Sequence, residues 1–148
     1  MLIYLDNCCF NRPVDDQGQI RIRLEAEAKL FIQQQIMEKK LELAWSYILD
    51  FENSANPFPE RKTSIARWKS RASVYVVESA ALLVLANEIQ SLGVAPKDAL
   101  HVACSIEGKC NYFMTTDDQI LKTLTDYGKI QITNPVGFVT ESRGETLR

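Results

Sequence analysis

The sequence has 148 residues, 46% of them hydrophobic, and a formal net charge of −2. These values suit one compact domain with a sizeable core, and they argue against a protein that binds nucleic acid through its overall charge. No stretch reaches the roughly 18 consecutive apolar residues of a membrane span, and the first residues show no signal peptide, so we expect a soluble cytoplasmic protein without membrane contact. The spacing of the four cysteines fits neither a zinc ribbon nor a disulfide framework and favours free thiols: Cys8, Cys9, Cys104 and Cys110.

In the first third of the chain, short apolar runs alternate with polar and helical segments. Residues 1–5 predict a buried strand, and residues 11–18 predict a polar loop. Residues 41–45 predict a second strand, which a helix over residues 46–55 follows.

Between the loop and the second strand, residues 20–36 predict an amphipathic helix. Its apolar positions are Ile20, Leu24, Ala28, Phe31, Ile32 and Ile36. The other faces carry Glu25, Glu27 and Lys29, which we therefore expect to be exposed to solvent.

The middle of the chain is mainly helical. Residues 61–71 predict a helix, residues 74–77 form a β-branched run, and residues 79–91 predict a helix that ends at Gly93. Pro96 opens the next helix at a first-turn position, where its missing N–H has no cost.

The last part of the chain returns to strands. Residues 112–115 predict a strand, residues 117–126 a helix and residues 130–132 a final strand. Strands that are separated by helices pair in parallel, so we predict an α/β fold with a central, mainly parallel sheet of four to five strands flanked by helices. We expect a single domain over residues 1–139 and a polar, flexible tail over residues 140–148.

Three acids follow strands or begin helices on this prediction. Asp6 follows the first strand, Asp117 follows the strand at residues 112–115, and Glu52 lies one turn into the helix after the second strand. The carboxyl ends of parallel strands line one crevice, which is where ligands usually bind. Taken singly, Asp117 could be only a helix cap and Glu52 only a surface acid.

Asp98 lies on a helix that is apolar on most sides. Asp98, His101 and Ser105 form a narrow polar strip on this helix. The helix dipole could account for an acid in the first turn, but it does not account for the strip. Carboxylates that converge in one cleft repel each other unless a cation neutralises them, and oxygen ligands select Mg²⁺ or Mn²⁺.

Taken together in their order along the chain, these motifs resemble the PIN-domain family, and within it the small ribonuclease toxins of toxin–antitoxin pairs. The matching segments are Leu5-Asp6-Asn7, residues 46–52, the run from Lys97 to Ala103, and Thr115-Thr116-Asp117. The resemblance implies a three-layer PIN-like fold and an endoribonuclease that depends on Mg²⁺ or Mn²⁺. In such an enzyme a water molecule that the metal ion activates would hydrolyse the phosphodiester bonds of RNA.

The resemblance also implies roles for individual residues. The acidic pocket would be built from the catalytic residues Asp6, Glu52, Asp98 and Asp117. Of these, Asp6, Asp98 and Asp117 would bind the metal. Supporting residues would be Asn7, Thr115 and His101. It further implies an antitoxin protein as a partner and a homodimer.

The neighbouring acids Asp50 and Glu52 could each match the family's glutamate. Ile48 and Leu49 should anchor their helix to the sheet, and Glu52 projects between these two positions. We therefore expect Glu52 to face the pocket and Asp50 to be a solvated carboxylate on the far side.

A cationic segment between residues 61 and 71 could hold a phosphate backbone, with Trp68 available to stack on a base. Its members are Arg61, Lys62, Arg67, Lys69 and Arg71. A solvated helix face is the competing interpretation.

Other enzyme classes leave no signature in the sequence. Phosphate-binding, dinucleotide-binding and serine-hydrolase motifs are missing, and the single histidine excludes an acid–base ribonuclease that needs two. The alternative that stays open is a non-catalytic module of the same fold that binds nucleic acid or protein.

Overall fold

The computed structural model describes residues 1–11 and 18–146, without the side chains of Asn11 and of residues 143–146. The strands in these ranges are β1 (Leu2–Leu5), β2 (Glu42–Ser46), β3 (Val74–Val76), β4 (Tyr112–Met114) and β5 (Gln131–Thr133). The helices are α1 (Asn7–Asn11), α2 (Ile20–Met37), α3 (Tyr47–Ser54), α4 (Pro59–Lys69), α5 (Ala80–Ser91), α6 (Pro96–Glu107), α7 (Asp118–Thr123) and α8 (Pro135–Thr146). No helix in the described ranges is long and apolar enough to cross a membrane.

The five strands form one sheet in the order β3-β2-β1-β4-β5, and every pairing is parallel. Tyr4 at the centre is level with Ala44 on β2 and with Phe113 on β4. Helices flank the sheet, with α6 packed on β2 and β4, α5 on α6, and α8 on α2. The predicted α/β class, with a three-layer fold around a parallel sheet, is confirmed.

Burial of the central strand explains why its sequence is a continuous apolar run. Ile3, Tyr4 and Leu5 are completely buried, because helices cover both faces of a parallel sheet. The Tyr4 ring stacks on Phe113 of the neighbouring strand with 5.6 Å between ring centroids. The aromatic core continues with Phe10 and Trp45, whose ring centroids are 5.2 Å apart. All four cysteines are free thiols, as predicted.

Three elements differ from the sequence prediction. The chain turns directly from β1 into α1, whose residues Cys9 and Phe10 are buried in the core. The rest of the predicted loop, residues 12–17, lies outside the described residues. The β-branched run near residue 75 is the edge strand β3. The helix α8 extends into the segment that was predicted as a polar tail, because Phe138 is buried against Tyr112 and the helix packs on α2.

The buried face of α2 was predicted only in part: Ala28, Ile32 and Ile36 are buried as expected. Ile20 and Leu24 are exposed, whereas Glu25 and Lys29 are buried. Glu25 is held by Arg21, one turn earlier, whose Nε donates to Glu25 Oε1 at 2.7 Å. Apolar periodicity missed these positions because the helix turns two long charged side chains toward the core.

The completely buried Lys29 is the unusual member of this face. Its ammonium lies 4.1 Å from the centroid of the Phe10 ring, and no described residue accepts a hydrogen bond from its Nζ. Burial lowers the pKa of Lys29 from 10.5 to about 8. At neutral pH the fold therefore contains a charged group that is only weakly compensated.

We predict that Lys29→Met raises the free energy of unfolding at pH 7 by roughly 1–3 kcal/mol. The folded pKa of about 8 lies below the value of the unfolded chain, so the unfolded state binds more protons between the two values. Stability of the unmodified protein should therefore rise from pH 8 to about pH 10.5, and the advantage of the variant should shrink. Urea denaturation at pH 7 and pH 10 measures this difference. The exposed Lys62→Met is the control, and an advantage of Lys29→Met that is equal at both pH values would contradict the assignment.

Candidate functional site

Asp6 follows β1 and is fixed in position by its neighbours. Its backbone N–H donates to the Met114 carbonyl at 2.9 Å, which extends the pairing of β1 with β4 by one residue. Its carboxylate accepts from the Asn7 N–H at 2.7 Å and from the Thr115 hydroxyl at 2.9 Å. The Cys8 thiol lies 3.5 Å from the same carboxylate. Asp6 is therefore a buried acid whose carboxyl group is held in one position by hydrogen bonds.

Asp117 is positioned by the loop that follows β4. The Thr115 hydroxyl accepts from the Asp117 N–H at 3.1 Å, so one threonine links the two acids Asp6 and Asp117. Asp117 Oδ1 caps α7, because it accepts from the Gln119 N–H at 2.8 Å and from the Ile120 N–H at 3.3 Å. Asp117 thus has the structural role of a helix cap and also lies near the other acids.

Glu52 and His101 meet between α3 and α6. His101 Nε2 is hydrogen-bonded to Glu52 Oε1 and lies 3.9 Å from Asp6 Oδ1. His101 Nδ1 lies 2.6 Å from the Tyr4 hydroxyl, which in turn lies 2.6 Å from Ser46 Oγ. Ser46 caps α3 by accepting from the Leu49 N–H. The hydrogen-bond partners of His101 are thus Glu52 and Tyr4, which lie outside the polar strip of α6.

Asp98 lies in the first turn of α6 and shares the electrostatic environment of the other acids. Burial, followed by the negative charges of Asp6 and Asp117, raises the pKa of Asp98 above its ordinary value. Glu52 adds to this effect, and His101 opposes it. Three acids that are distant in sequence therefore lie near enough to act on the Asp98 carboxyl, as expected for a shared pocket.

The structure suggests a metal-binding group that differs from the predicted ligand set. In the described part of the chain, Asp6, Glu52 and His101 can each offer one ligand atom, all within 4.8 Å of one another. The predicted ligands Asp98 and Asp117 lie outside this group. Two carboxylates and one imidazole fit a divalent ion, and the imidazole makes the set better suited to Mn²⁺ and other transition metals than to Mg²⁺.

Asp50 is not the solvated carboxylate that we expected. It accepts hydrogen bonds from Trp45 Nε1 at 2.8 Å, from Lys69 Nζ at 3.0 Å and from the Tyr75 hydroxyl. Burial opposes its ionisation, but the bonds from Tyr75, Trp45 and Lys69 outweigh burial and hold the pKa of Asp50 below its ordinary value. The predicted orientation, with Glu52 toward the pocket and Asp50 away from it, agrees with these contacts.

The cationic segment lies on and after α4, and its members have different surroundings. Lys69 is paired with Asp50, Arg61 lies over the Phe58 ring, and Arg71 lies over the Trp68 ring. Lys62 and Arg67 are exposed. Arg61 also lines a surface hollow of about 370 Å³ together with Asn7 and Glu52. This hollow connects the cationic segment with the acids.

Two residues of the site were not singled out in the sequence. Tyr4 is buried in β1, and Cys8 lies on α1 beside Asp6 and Thr115. Tyr4 is directed toward α6, where it meets the single histidine. A polar tip on an otherwise apolar central strand, opposite a helix with a polar strip, is the signal that could have identified it.

Comparisons with known proteins give a likeness of fold. No family model matches the chain, and no curated protein matches it. The structure of FitAcB from Neisseria gonorrhoeae is similar with a TM-score of 0.57 and 14% identity, over 90% of this chain and 97% of that chain. VapBC2 from Rickettsia felis bound to a promoter DNA fragment gives a TM-score of 0.61 and 12% identity, over 90% and 98% of the two chains. DNA-bound VapBC from Salmonella typhimurium gives a TM-score of 0.55 and 16% identity, over 91% of this chain and 99% of that chain.

These findings correct the assignment to the PIN-domain family. The motifs that carried the resemblance are short, and the family assignment is wrong as it stands, because no family model matches. Identities of 12% and 16% support a shared fold and leave family and activity open. The comparisons therefore establish the α/β fold, which these complexes share.

Two neighbouring acids on α3 provide a matched test of the site. We predict that Glu52→Gln weakens Mn²⁺ binding at least tenfold, because it removes one of the three ligands. Asp50→Asn should leave Mn²⁺ affinity unchanged and lower the free energy of unfolding by about 1 kcal/mol, since the partly exposed ion pair is weakened by solvent. That loss should be present at neutral pH and disappear as the pH falls through the depressed pKa of Asp50.

Isothermal titration calorimetry and urea denaturation measure the two effects. The reverse result, in which Asp50→Asn weakens metal binding and Glu52→Gln leaves it intact, would show that Asp50 and not Glu52 is directed toward the site.

Proposed function

We propose that the protein is a metal-dependent endoribonuclease that hydrolyses RNA phosphodiester bonds. The observation that carries the proposal is the convergence of Asp6, Glu52, Asp98 and Asp117 with His101 at one end of the parallel sheet. Four acids come from four different parts of the chain, and the ion-pair partner of Asp6 and Glu52 among the described residues is the imidazole of His101. Such a group is poorly explained by stability, because its charges repel each other.

In this proposal Asp6, Glu52 and His101 hold a divalent ion, preferably Mn²⁺, and the alternative ion Mg²⁺ would be held by the two carboxylates. The ion would lower the pKa of a water molecule and neutralise charge on the phosphate oxygens. Thr115 keeps the Asp6 carboxylate in one orientation by its hydrogen bond. Asp98 and Asp117 would contribute negative charge to the same pocket and would hold water or complete the metal site.

The cationic segment supports a polyanionic substrate. The hollow beside Glu52 is lined by Arg61 and Asn7, so a phosphate held by Arg61 would lie next to the acids. Lys62 and Arg67 on the exposed surface of α4 would hold the backbone farther along. Lys69 contributes less in this proposal, because Asp50 already neutralises it.

We also propose that the protein works as the toxin of a toxin–antitoxin pair and forms a homodimer. The likeness of fold to the FitAcB and VapBC complexes supports an antitoxin as the protein partner. Exposed apolar side chains support a protein contact as well: Val77, Leu83 and Val84 lie on or just before α5.

The central prediction concerns cleavage. Purified protein should cut single-stranded RNA in the presence of Mn²⁺ and lose this activity in EDTA. Asp6→Asn and Asp98→Asn should each lower the rate roughly 100-fold or more, because they remove charge from the reacting site. The raised pKa of Asp98 means that its charge destabilises the metal-free fold at neutral pH, so Asp98→Asn should melt at a higher temperature than the unmodified protein in EDTA.

A DNA substrate of the same sequence serves as the comparison, and cleavage of DNA alone would contradict the proposal. Binding of RNA without cleavage at any metal concentration would favour the alternative, a non-catalytic module that binds nucleic acid. Undiminished cleavage in EDTA would show that the metal is not required.

The salt dependence of RNA binding tests the cationic segment. We predict that Arg67→Gln lowers RNA affinity and reduces the slope of log K against log salt by about 0.7, the value for one phosphate contact on a single strand. Metal affinity should not change. The control is Lys109→Gln, an exposed lysine just beyond the end of α6 that is remote from Asp98. An unchanged slope for Arg67→Gln would show that Arg67 does not contact the RNA backbone and that the exposed face of α4 is only solvated.

A further inference from the structure

A continuous chain of hydrogen bonds leads from the acidic site into the core. It runs from Glu52 to His101, from His101 to the Tyr4 hydroxyl, and from Tyr4 to Ser46. His101, Tyr4 and Ser46 are almost completely buried, so water does not compete for these contacts. Ser46 Oγ also accepts from the Leu49 N–H, and Ser46 lies close enough to Cys104 to influence the pKa of its thiol.

One direction of donation satisfies every group when no metal is bound. A neutral imidazole carries a hydrogen on one nitrogen and a lone pair on the other. With the hydrogen on Nε2, His101 donates to Glu52 and its Nδ1 accepts from the Tyr4 hydroxyl. The Tyr4 oxygen then accepts from Ser46, and the Ser46 oxygen accepts from the Leu49 N–H.

The reverse direction preserves the same contacts between His101, Tyr4 and Ser46. With the hydrogen on Nδ1, His101 donates to the Tyr4 oxygen, and the Tyr4 hydroxyl donates to Ser46. The Ser46 hydroxyl can then turn toward the neighbouring Cys104, while its oxygen still accepts from the Leu49 N–H. In this state His101 Nε2 has a free lone pair that points toward Glu52 and Asp6. Burial raises the pKa of Tyr4 well above its ordinary value, so the hydroxyl keeps its hydrogen in both directions.

We propose that Tyr4 and Ser46 form a reversible hydrogen-bond chain that lets His101 change tautomer, so that Nε2 donates to Glu52 in the metal-free protein and ligates a transition-metal ion in the loaded one. The Nε2 hydrogen is released through Glu52 to solvent, solvent supplies one hydrogen to Nδ1, and the two hydroxyls rotate, so His101, Tyr4 and Ser46 each hold one exchangeable hydrogen before and after. Tyr4 and Ser46 are positioning residues that act through His101.

The inference rests on the proposed function and specifies which ions the site selects. Imidazole nitrogen is a good ligand for Zn²⁺ and other late transition metals and a poor one for Mg²⁺, and Mn²⁺ is the weakest binder of the transition-metal series at such mixed sites. The chain of hydroxyls therefore favours transition metals, whereas Mg²⁺ would be held by the carboxylates alone and would leave the His101 tautomer unchanged.

The single histidine of the sequence makes the experiment direct. Nitrogen-15 NMR of the untagged, full-length protein reports which imidazole nitrogen of His101 carries the hydrogen. We expect Nε2 in EDTA, Nδ1 with Zn²⁺, which is diamagnetic, and Nε2 with Mg²⁺. A hydrogen that stays on Nε2 with Zn²⁺ bound, or hydrogens on both nitrogens in EDTA at neutral pH, would overturn the inference.

Tyr4→Phe removes the acceptor that Nδ1–H needs in the loaded state while preserving the buried ring. We expect Mn²⁺ and Zn²⁺ affinities to fall about 10- to 100-fold, the range found for partners of ligating histidines, and Mg²⁺ affinity to stay the same. Tyr47→Phe is the matched control, because the Tyr47 hydroxyl is buried without a hydrogen-bond partner among the described residues. Ser46→Ala should reduce Mn²⁺ affinity in the same direction and also destabilise α3, whose cap it removes.

Two failures can be told apart. Absence of any divalent-ion binding to the unmodified protein overturns the proposed function and this inference together. Binding of Mn²⁺ that Tyr4→Phe does not weaken, with Glu52→Gln still impairing it, overturns only the role of the hydrogen-bond chain.

Discussion

The parallel pairing of β1 with a strand on each side is the constraint on which the site depends. β1 lies at the centre of the sheet, between β2 and β4, and all three run in the same direction. Their carboxyl ends therefore lie side by side and bring Asp6, Ser46 and Thr115 together, although these residues are far apart in sequence. The bond from the Asp6 N–H to the Met114 carbonyl continues the ladder by one residue. The acid is thus fixed by backbone geometry before any side-chain contact is made.

Helix α6 brings the remaining chemistry to the same end of the sheet. It precedes β4 and runs against the strand direction, so its first turn lies at the carboxyl ends. Asp98 and His101 are separated by about one helical turn and are both directed toward the site. The apolar faces of α6 anchor it against β2, β4 and α5, and that packing free energy keeps mutually repelling acids close together. In the metal-free protein, packing of the core stabilises the fold, and repulsion between the acids of the pocket destabilises it.

The sequence was sufficient for those features that follow from periodicity and from position relative to a strand end. Asp6, Glu52 and Asp117 were placed correctly near the carboxyl ends because parallel strands leave little choice. The burial of Lys29 and Glu25 could not be predicted, because apolar periodicity assigns charged residues to the surface, whereas in the fold the Phe10 ring lies against the Lys29 ammonium and Arg21 pairs with Glu25. The link from His101 to Tyr4 is a contact between residues 97 positions apart, so no local pattern contains it. The motif-based family assignment went further than short motifs allow, and only the fold was confirmed.

The two edges of the sheet are short, since β3 and β5 each have three residues. An edge strand exposes a row of backbone donors and acceptors that can pair with another chain, and short edges limit this pairing. Beside β3, the side chain of Tyr75 is tied to Asp50 and Lys69, which places charges next to that edge. The fold therefore has little exposed backbone on which strands of other molecules could stack, and we expect it to resist edge-to-edge aggregation during folding at high concentration.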